Sequence, residues 1–378
     1  MLSVRKLRML RAEGKLPGLD GLRAIAVLLV LFFHQEVLPF GWVGVQIFFV
    51  LSGYLITRSL YHTRGLPIAQ YLKVFYGRRS LRIFPLYFAV CGLFAIAVAL
   101  GARPGGVAQG LPYAVTYTYN FWHASSSFVH SKLITHFWSL CVEEQFYLFW
   151  PFVIFFCPQH LLRGVLIGIV AAGPLLRLIG YQVLSIPQLG ALPDTSLAVY
   201  VLTTSHIDAF AVGAFVSLFP IGGSRKGALS LFAAIVVAGL LIVAFADKNS
   251  SRPANLGTFG YPLGLPDGFA YVWGYSLLNL FSAALIDCIV VGKFAPRFLD
   301  NRLLQHIGKI SYGYYVMHYP VQSVVAHFVH QSLVLQILVQ IVVTTLLATV
   351  SFYAWENQFL KLKDRWFAAR PVLSAART

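Results

Sequence analysis

The amino-acid sequence predicts an all-α fold: a polytopic membrane helix bundle with about ten transmembrane helices and both termini in the cytoplasm. Three observations support this prediction. Hydrophobic residues make up 58% of the 378-residue chain, charged residues make up 11%, and the mean hydropathy is +0.72. Apolar stretches recur that are long enough to cross a bilayer. Lysine and arginine concentrate in alternate connections between these stretches, as the positive-inside rule requires.

The apolar stretches follow one another along the whole chain. They cover residues 20–38, 42–61, 84–102, 138–157, 164–183, 203–221, 227–246, 270–291, 308–330 and 333–356. A further half-apolar segment, 110–123, is short and interrupted by polar residues. Counting it as a span would move every later connection to the opposite side of the membrane. We therefore expect the loop at about 103–137 to be extracytoplasmic, lying either outside the membrane or re-entrant where it lines a cavity.

The net charge of +16 follows from topology and does not indicate nucleic-acid binding. Most of the 29 lysines and arginines fall in segments predicted to be cytoplasmic. The chain therefore divides into a basic cytoplasmic N-terminus (1–19), a membrane domain (20–356) and a basic cytoplasmic tail (357–378). We expect a multi-pass protein of the cytoplasmic (inner) membrane, surrounded by lipid. The four cysteines show no metal-ligand spacing, so no metal is expected.

The first candidate cluster lies in GLRAIAVLLVLFFHQ, where Arg23 begins an apolar run that also carries His34. Eleven helical steps bring His34 to within about 20° of the direction of Arg23, roughly 16 Å further along the axis. An ionisable group inside a span usually faces the protein interior or a wet cavity. Arg23 alone is equally consistent with an interfacial charge, and His34 with a structural hydrogen bond, but their shared face favours a functional pair.

The second cluster is FYGRRSLRIFPLY, in which Arg78, Arg79 and Arg82 precede the third span. Pro85 is expected in the first turn of that helix, where a missing N–H costs little. Arginine side chains suit phosphate groups. The alternative is ordinary juxtamembrane charge in contact with anionic lipid.

The third cluster is HFWSLCVEEQFYLFWP, which carries Glu143 and Glu144 into an aromatic-rich span from its outer end. Adjacent helical residues point about 100° apart, so one of the two carboxylates is expected to face a cavity. A carboxylate beside an imidazole can orient it as a base. The alternative is a pair of acids stabilised by the helix dipole.

Three weaker candidates receive no catalytic role. His206 and Asp208 begin the sixth span, and His318 precedes a proline in the ninth. Each is more often a packed polar contact than a catalytic group. Arg177 lies near enough to the outer end of the fifth span to reach the interface by snorkelling.

Together these stretches resemble the acyltransferase-3 family of integral-membrane acyltransferases. The segments GLRAIAVLLVLFFH, GWVGVQIFFVLSGYLIT, RRSLRIFPLY, HFWSLCVEEQFYLFWP and ISYGYYVMHYPV occur in the order and spacing of the family. The family's signature of a basic residue and a histidine separated by ten residues matches Arg23 and His34, and its acidic motif matches Glu143. One departure is visible: His206 stands where members often have arginine. Some members append a soluble esterase-like domain after the last span, and we expect no counterpart of it here.

The resemblance implies an O-acyltransferase that moves an acyl group, usually acetyl, from cytoplasmic acyl-CoA to a hydroxyl group of a cell-envelope or exported glycan, free or lipid-linked. On this basis His34 and Glu143 are the candidate catalytic residues. His34 would act either as a general base or as the carrier of the acyl group. Arg23, Arg78, Arg79 and Arg82 are the candidate residues for binding acetyl-CoA or another acyl-CoA. The membrane domain is expected to handle the acceptor alone.

Two other functions are compatible with the same sequence. The fold could acylate a small secondary metabolite such as a macrolide. The polar groups could also line the substrate pathway of a membrane transporter or exporter. Transporters commonly contain inverted repeats with paired broken helices, and the sequence shows no such internal symmetry, so the transporter hypothesis is the weaker of the two.

Overall fold

Ten principal helices occupy the ten apolar stretches. The computed structural model describes residues 16–367 except 103–104, 187–191, 193, 246–253 and 267–268, so most of the predicted basic N-terminus and the end of the tail lie outside the described residues. The described backbone contains no β-strand. The helices are Leu19–His34 (α1), Val43–Thr63 (α2), Ile68–Ala99 (α3), Phe137–Phe156 (α4), Leu162–Leu184 (α5), Ile207–Leu218 (α6), Arg225–Ala244 (α7), Ala270–Val290 (α8), Ser311–Phe328 (α9) and Leu333–Ser351 (α10).

Seven of the described helices are long and apolar enough to cross a membrane: α2, α3, α4, α5, α7, α8 and the continuous segment Leu333–Trp366 that begins with α10. This confirms the all-α, multi-pass membrane fold. The remaining three, α1, α6 and α9, contain 16, 12 and 18 residues. Helix α6 extends about 18 Å, less than the roughly 30 Å of a bilayer core. The count of ten spans and the cytoplasmic location of the termini stay predictions.

The loop predicted at about 103–137 contains two short helices, Val107–Val115 and Tyr119–His123. With nine and five residues, neither is long enough to span a bilayer. The loop docks on the bundle instead. The Tyr87 hydroxyl of α3 donates a hydrogen bond to the Ala114 carbonyl at 2.8 Å, and the Gln145 amide of α4 donates to the Tyr117 carbonyl at 2.8 Å. The prediction that this segment is not an eleventh span is confirmed.

Helix α3 begins directly after Pro67, sixteen residues before the predicted span at 84–102, and its N-terminal half mixes basic and apolar residues without a further proline before Pro85. Pro85 therefore lies inside the helix, and its expected position in the first turn is wrong. A proline within a helix removes one backbone hydrogen bond but leaves the surrounding turns able to continue. The basic residues consequently project from helical turns, so that Arg79 and Arg82, three positions apart, share one face.

Helices α2 and α6 pack so closely that the backbone of each contacts the backbone of the other. A Cβ atom placed on Gly53 would come within 2.1 Å of the Phe210 carbonyl oxygen, and one placed on Gly213 would come within 2.0 Å of the Val50 carbonyl oxygen. Only glycine fits at these two positions. Small residues at helix contacts are the usual means of tight packing in membrane proteins. This crossing fixes α2, which runs between the two cavities described below.

A buried ion pair joins α5, α6 and α8. Arg177 is fully buried, and its guanidinium donates to both carboxylate oxygens of Asp208 at 3.0 Å and to the Val272 carbonyl. The Ser276 hydroxyl donates to the same carboxylate at 2.6 Å. The prediction that Arg177 snorkels to the interface is wrong, because a bidentate partner satisfies its charge inside the bundle. This network gives Asp208 a structural role.

Replacing Asp208 with asparagine should destabilise the bundle by about 3–5 kcal/mol, because the buried Arg177 then lacks a counter-ion. Thermal unfolding in detergent measures the loss. The double variant Arg177→Met/Asp208→Leu provides the control, since an apolar pair of similar volume carries no unpaired charge and should be less destabilised. Equal stability of Asp208→Asn and the unmodified protein would show that the pair contributes nothing.

Candidate active site

Three predicted arginines and one predicted carboxylate line a single cavity of about 160 Å³, here called the arginine cavity. Arg23 comes from α1, Arg79 and Arg82 from α3, and Glu143 from α4. The remaining wall is largely apolar and is supplied by α2 and α9. A cavity with three cations and one anion carries a net positive charge, which suits an anionic ligand such as a phosphate group.

Arg78 does not line this cavity. Its guanidinium donates to the backbone carbonyl of Phe367, beyond the helix Asn357–Trp366, at 3.0 Å. Consecutive helical residues point about 100° apart, and here Arg79 faces the cavity while Arg78 faces the C-terminal segment. The structure therefore brings together three of the four predicted donor-binding residues and separates the fourth.

Glu143 accepts a hydrogen bond from the Ser52 hydroxyl of α2 at 2.6 Å. The Tyr147 hydroxyl lies 3.3 Å from the same serine oxygen, and the Arg79 guanidinium lies over the Tyr147 ring, 5.1 Å from its centroid. Glu144 is absent from the residues that line the cavity, and its Oε1 is buried without a hydrogen-bond partner among the described residues. The prediction that one of the two adjacent carboxylates faces a cavity is confirmed, and Glu143 is that residue.

His34 lines a second and larger cavity of about 520 Å³, here called the histidine cavity. His130 and His136 also line it, as do Asn255 and Thr258. His130 belongs to the loop predicted to be extracytoplasmic, and Asn255 and Thr258 lie in the connection between α7 and α8. Among the described residues, no cluster of histidine, cysteine, aspartate or glutamate could hold a metal ion. The cavity thus combines a largely apolar and aromatic wall with several histidines and other polar side chains.

The environment of His34 is polar, as predicted for an ionisable group in this helix. Its Nδ1 lies 2.8 Å from Nε2 of His318, and its ring stacks on Tyr319 with centroids 4.4 Å apart. His34 is the last residue of α1, whereas the predicted span continues to residue 38. The helix ends there because Gln35 starts a turn and Glu36 adopts a positive φ of 59°. The imidazole consequently lies at the end of α1.

The two cavities meet at Val45 and Tyr315, which line both of them. The Tyr315 hydroxyl lies 2.5 Å from the Ser139 hydroxyl and donates to the His136 carbonyl at 3.1 Å. These contacts fix Tyr315 as part of a partition between the arginine cavity and the histidine cavity. Val45 and Tyr315 thus belong to the wall that the two cavities share.

The expected contact between Glu143 and the His34 imidazole is wrong. The two side chains line different cavities, and Glu143 lies among the arginines. The sequence places Glu143 near the outer end of its span, but the depth of a residue does not specify which neighbouring helix it faces. Here α4 directs Glu143 toward α2 and α3, and the histidines come together from α1, α9 and the residue before α4.

Several residues of the site were not identified from the sequence. Ser52, Tyr147 and Tyr315 gave no signal of their own, and His318 received no role. The sequence suggests Ser139 only as the N-cap of α4, which is instead His136. All five lie within the stretches that carry the family resemblance, and this location is the signal that could have identified them. Nothing in composition or spacing separates them from neighbouring hydroxyl and aromatic residues.

The chain is similar in sequence to known proteins of one family. The sequence profile of the acyltransferase domain matches residues 16–354. The chain is 27% identical to the O-acetyltransferase OatA of Staphylococcus aureus over 97% of its own length and 61% of that protein. It is 28% identical to the putative peptidoglycan O-acetyltransferase YrhL of Bacillus subtilis and to the peptidoglycan O-acetyltransferase OatA of Listeria monocytogenes. These matches cover 94% and 91% of the chain, and 56% of each relative.

The chain thus spans somewhat more than half the length of these relatives. No solved structure matches it. The match to the acyltransferase profile covers almost the entire described bundle, including α1 with Arg23 and His34 and α4 with Glu143. The predicted enzyme class is confirmed by this match. The chain belongs to the acyltransferase-3 family.

Proposed function

We propose that the chain transfers an acyl group, acetyl in the simplest case, from cytoplasmic acyl-CoA to a hydroxyl group of a cell-envelope glycan. Two of the similar proteins are named for peptidoglycan, which makes peptidoglycan the first acceptor to test. The protein would lie in the cytoplasmic membrane, with the arginine cavity facing the cytoplasm. The concentration of lysine and arginine on that side supports this orientation.

The observation that carries the proposal is the junction of the two cavities at Val45 and Tyr315. Arg23, Arg79 and Arg82 offer guanidinium groups to the phosphates of the donor. The acyl end of the donor would then lie toward the partition. A hydroxyl group of the acceptor would enter the larger histidine cavity from the opposite side. This arrangement lets the two substrates meet without exchanging sides of the membrane.

The chemistry requires a base for the acceptor hydroxyl. The imidazole of His34 would take the proton of that hydroxyl, and the oxygen would attack the thioester carbonyl carbon. A C–O bond forms and the C–S bond breaks, so that CoA leaves as a thiolate. The imidazolium then returns its proton to the thiolate, and an ester and free CoA remain. His34 is unchanged at the end of the cycle.

Mass spectrometry of envelope glycans tests the proposed function. Cells with and without the gene are grown in parallel, and purified peptidoglycan and other surface polysaccharides are compared for acyl esters. The proposal expects one glycan to lose its esters when the gene is absent. Unchanged glycans together with the loss of acylation on a small secreted metabolite would contradict the proposed acceptor class.

Replacing Arg79 or Arg82 with glutamine should weaken acetyl-CoA binding by about tenfold or more, because each guanidinium can make a charge-assisted hydrogen bond to phosphate worth about 1.5–3 kcal/mol. Calorimetric titration in nanodiscs measures the affinity. Arg78→Gln is the matched control, since it removes the same charge from the adjacent position without reaching the cavity. Equal weakening at all three positions would indicate a general charge effect instead of a binding site.

A further inference from the structure

His318 is fully buried in α9 and lies directly behind His34, although the two are 284 positions apart in sequence. Its Nδ1 lies 2.6 Å from the Tyr315 carbonyl oxygen, and its Nε2 lies 2.8 Å from Nδ1 of His34. Both nitrogens therefore have one defined partner each. Neither partner is an anion, so the buried ring is expected to be neutral, because an unpaired buried charge is costly.

These contacts determine the tautomers of both rings. A carbonyl oxygen can only accept, so Nδ1 of His318 carries the proton and donates to Tyr315. The Nε2 of a neutral His318 then has a lone pair and accepts a hydrogen bond from Nδ1–H of His34. This leaves Nε2 of His34 unprotonated, on a ring that lines the histidine cavity. That nitrogen is the atom a general base needs.

The surrounding residues hold the pair in place. The Gln340 amide donates to the His318 carbonyl at 2.9 Å, and the Gln322 amide donates to the His34 carbonyl at 2.6 Å. The stacked ring of Tyr319 restricts rotation of the His34 imidazole. Helices α9 and α10 therefore fix both the end of α1 and the orientation of its last side chain.

We propose that His318 is a positioning residue, which holds His34 in the tautomer whose Nε2 can accept the proton of the acceptor hydroxyl. This inference rests on the proposed function, because it assumes that His34 acts as the base. Without His318, the His34 ring can rotate or adopt the other tautomer, and only a fraction of molecules would present an unprotonated nitrogen to the cavity. Substrate binding in the separate arginine cavity would be unaffected.

The test compares His318→Leu with His318→Gln. Release of free CoA from acetyl-CoA is followed in the presence of soluble peptidoglycan fragments. His318→Leu should lower kcat at least about 10²-fold, the lower end of the range for positioned acid–base groups, with the KM for acetyl-CoA unchanged. His318→Gln should recover a large part of kcat, because its amide oxygen can accept the Nδ1–H of His34. Val325→Ala, a buried change two turns along α9 outside both cavities, should leave kcat unchanged.

Three further outcomes separate this inference from the proposed function. The double variant His34→Gln/His318→Leu should be no slower than His34→Gln alone, since His318 acts only through His34. Full kcat in His318→Leu, or equal losses in the leucine and glutamine variants, would overturn the positioning role while leaving the His34 base in place. Full activity of His34→Gln would instead overturn the base assignment, and the inference with it.

Discussion

Replacing His34 with glutamine is expected to lower acyl transfer by about 10²–10⁴, the range for a positioned acid–base group. Glutamine keeps a polar side chain at the end of α1 but cannot take a proton from the acceptor hydroxyl. Acetyl-CoA should still bind, because Arg23, Arg79 and Arg82 line a separate cavity. Turnover with soluble peptidoglycan fragments and calorimetric binding of acetyl-CoA measure the two quantities on the same preparation.

His327→Gln is the matched control for this variant. His327 is exposed near the end of α9 and lines neither cavity, so its replacement should leave both quantities unchanged. If the acetyl-CoA affinity of His34→Gln fell by the same factor as its turnover, His34 would belong to the donor site. That result would contradict the separation of donor and acceptor cavities.

Glu143→Gln is expected to reduce turnover by about tenfold or more, the worth of one charge-assisted hydrogen bond, whereas Glu144→Gln should cost much less. The Glu143 carboxylate offsets part of the positive charge of the three arginines and accepts a hydrogen bond from the Ser52 hydroxyl. The amide of glutamine can accept the hydrogen bond but carries no charge. Glu144 has the same side chain on the same helix but does not line the cavity. Comparison of the two isosteric variants therefore distinguishes the effect of losing a carboxyl group inside the cavity from the effect of losing one elsewhere on the same helix.

The geometry also predicts how the Glu143 and His34 effects combine. The two side chains line different cavities and do not share a hydrogen bond, so their losses should multiply in the double variant. Assays of both singles and the double, with protein level checked for each, provide the comparison. A double variant no worse than the His34 single would show that Glu143 and His34 do not act separately. Comparable losses at positions 143 and 144 would instead show that the place of Glu143 in the cavity has no special effect.

The sequence predicts the helices well where composition alone decides them. The boundaries of α4, α5, α7 and α8 fall within two residues of the apolar stretches that predict them. The predicted start of α3 is sixteen residues too late, because basic residues in its first half lower the hydropathy and resemble a basic connection. Hydropathy detects lipid-facing surface, so it cannot place the beginning of a helix that packs partly against other helices.

The residue types of the candidate site were predictable, but their partners were not. Arg23, Arg79 and Arg82 were expected to act together and do share a cavity. The contact of His34 with His318 depends on how α1 and α9 cross, which no local pattern encodes. Likewise, the direction of Glu143 is set by the packing of α4 against α2. Spacing along one helix predicts a shared face, whereas contacts between helices require the tertiary structure.

The central claim is that the acyl group passes from the arginine cavity on one side of the membrane to an acceptor in the histidine cavity on the other. Proteoliposomes of uniform orientation test it directly, with labelled acetyl-CoA supplied only at the arginine face and soluble peptidoglycan fragments only at the opposite face. The account predicts labelled fragments with the intact protein and about 10²–10⁴-fold less label with His34→Gln. Labelling only when donor and acceptor are supplied at the same face would contradict it.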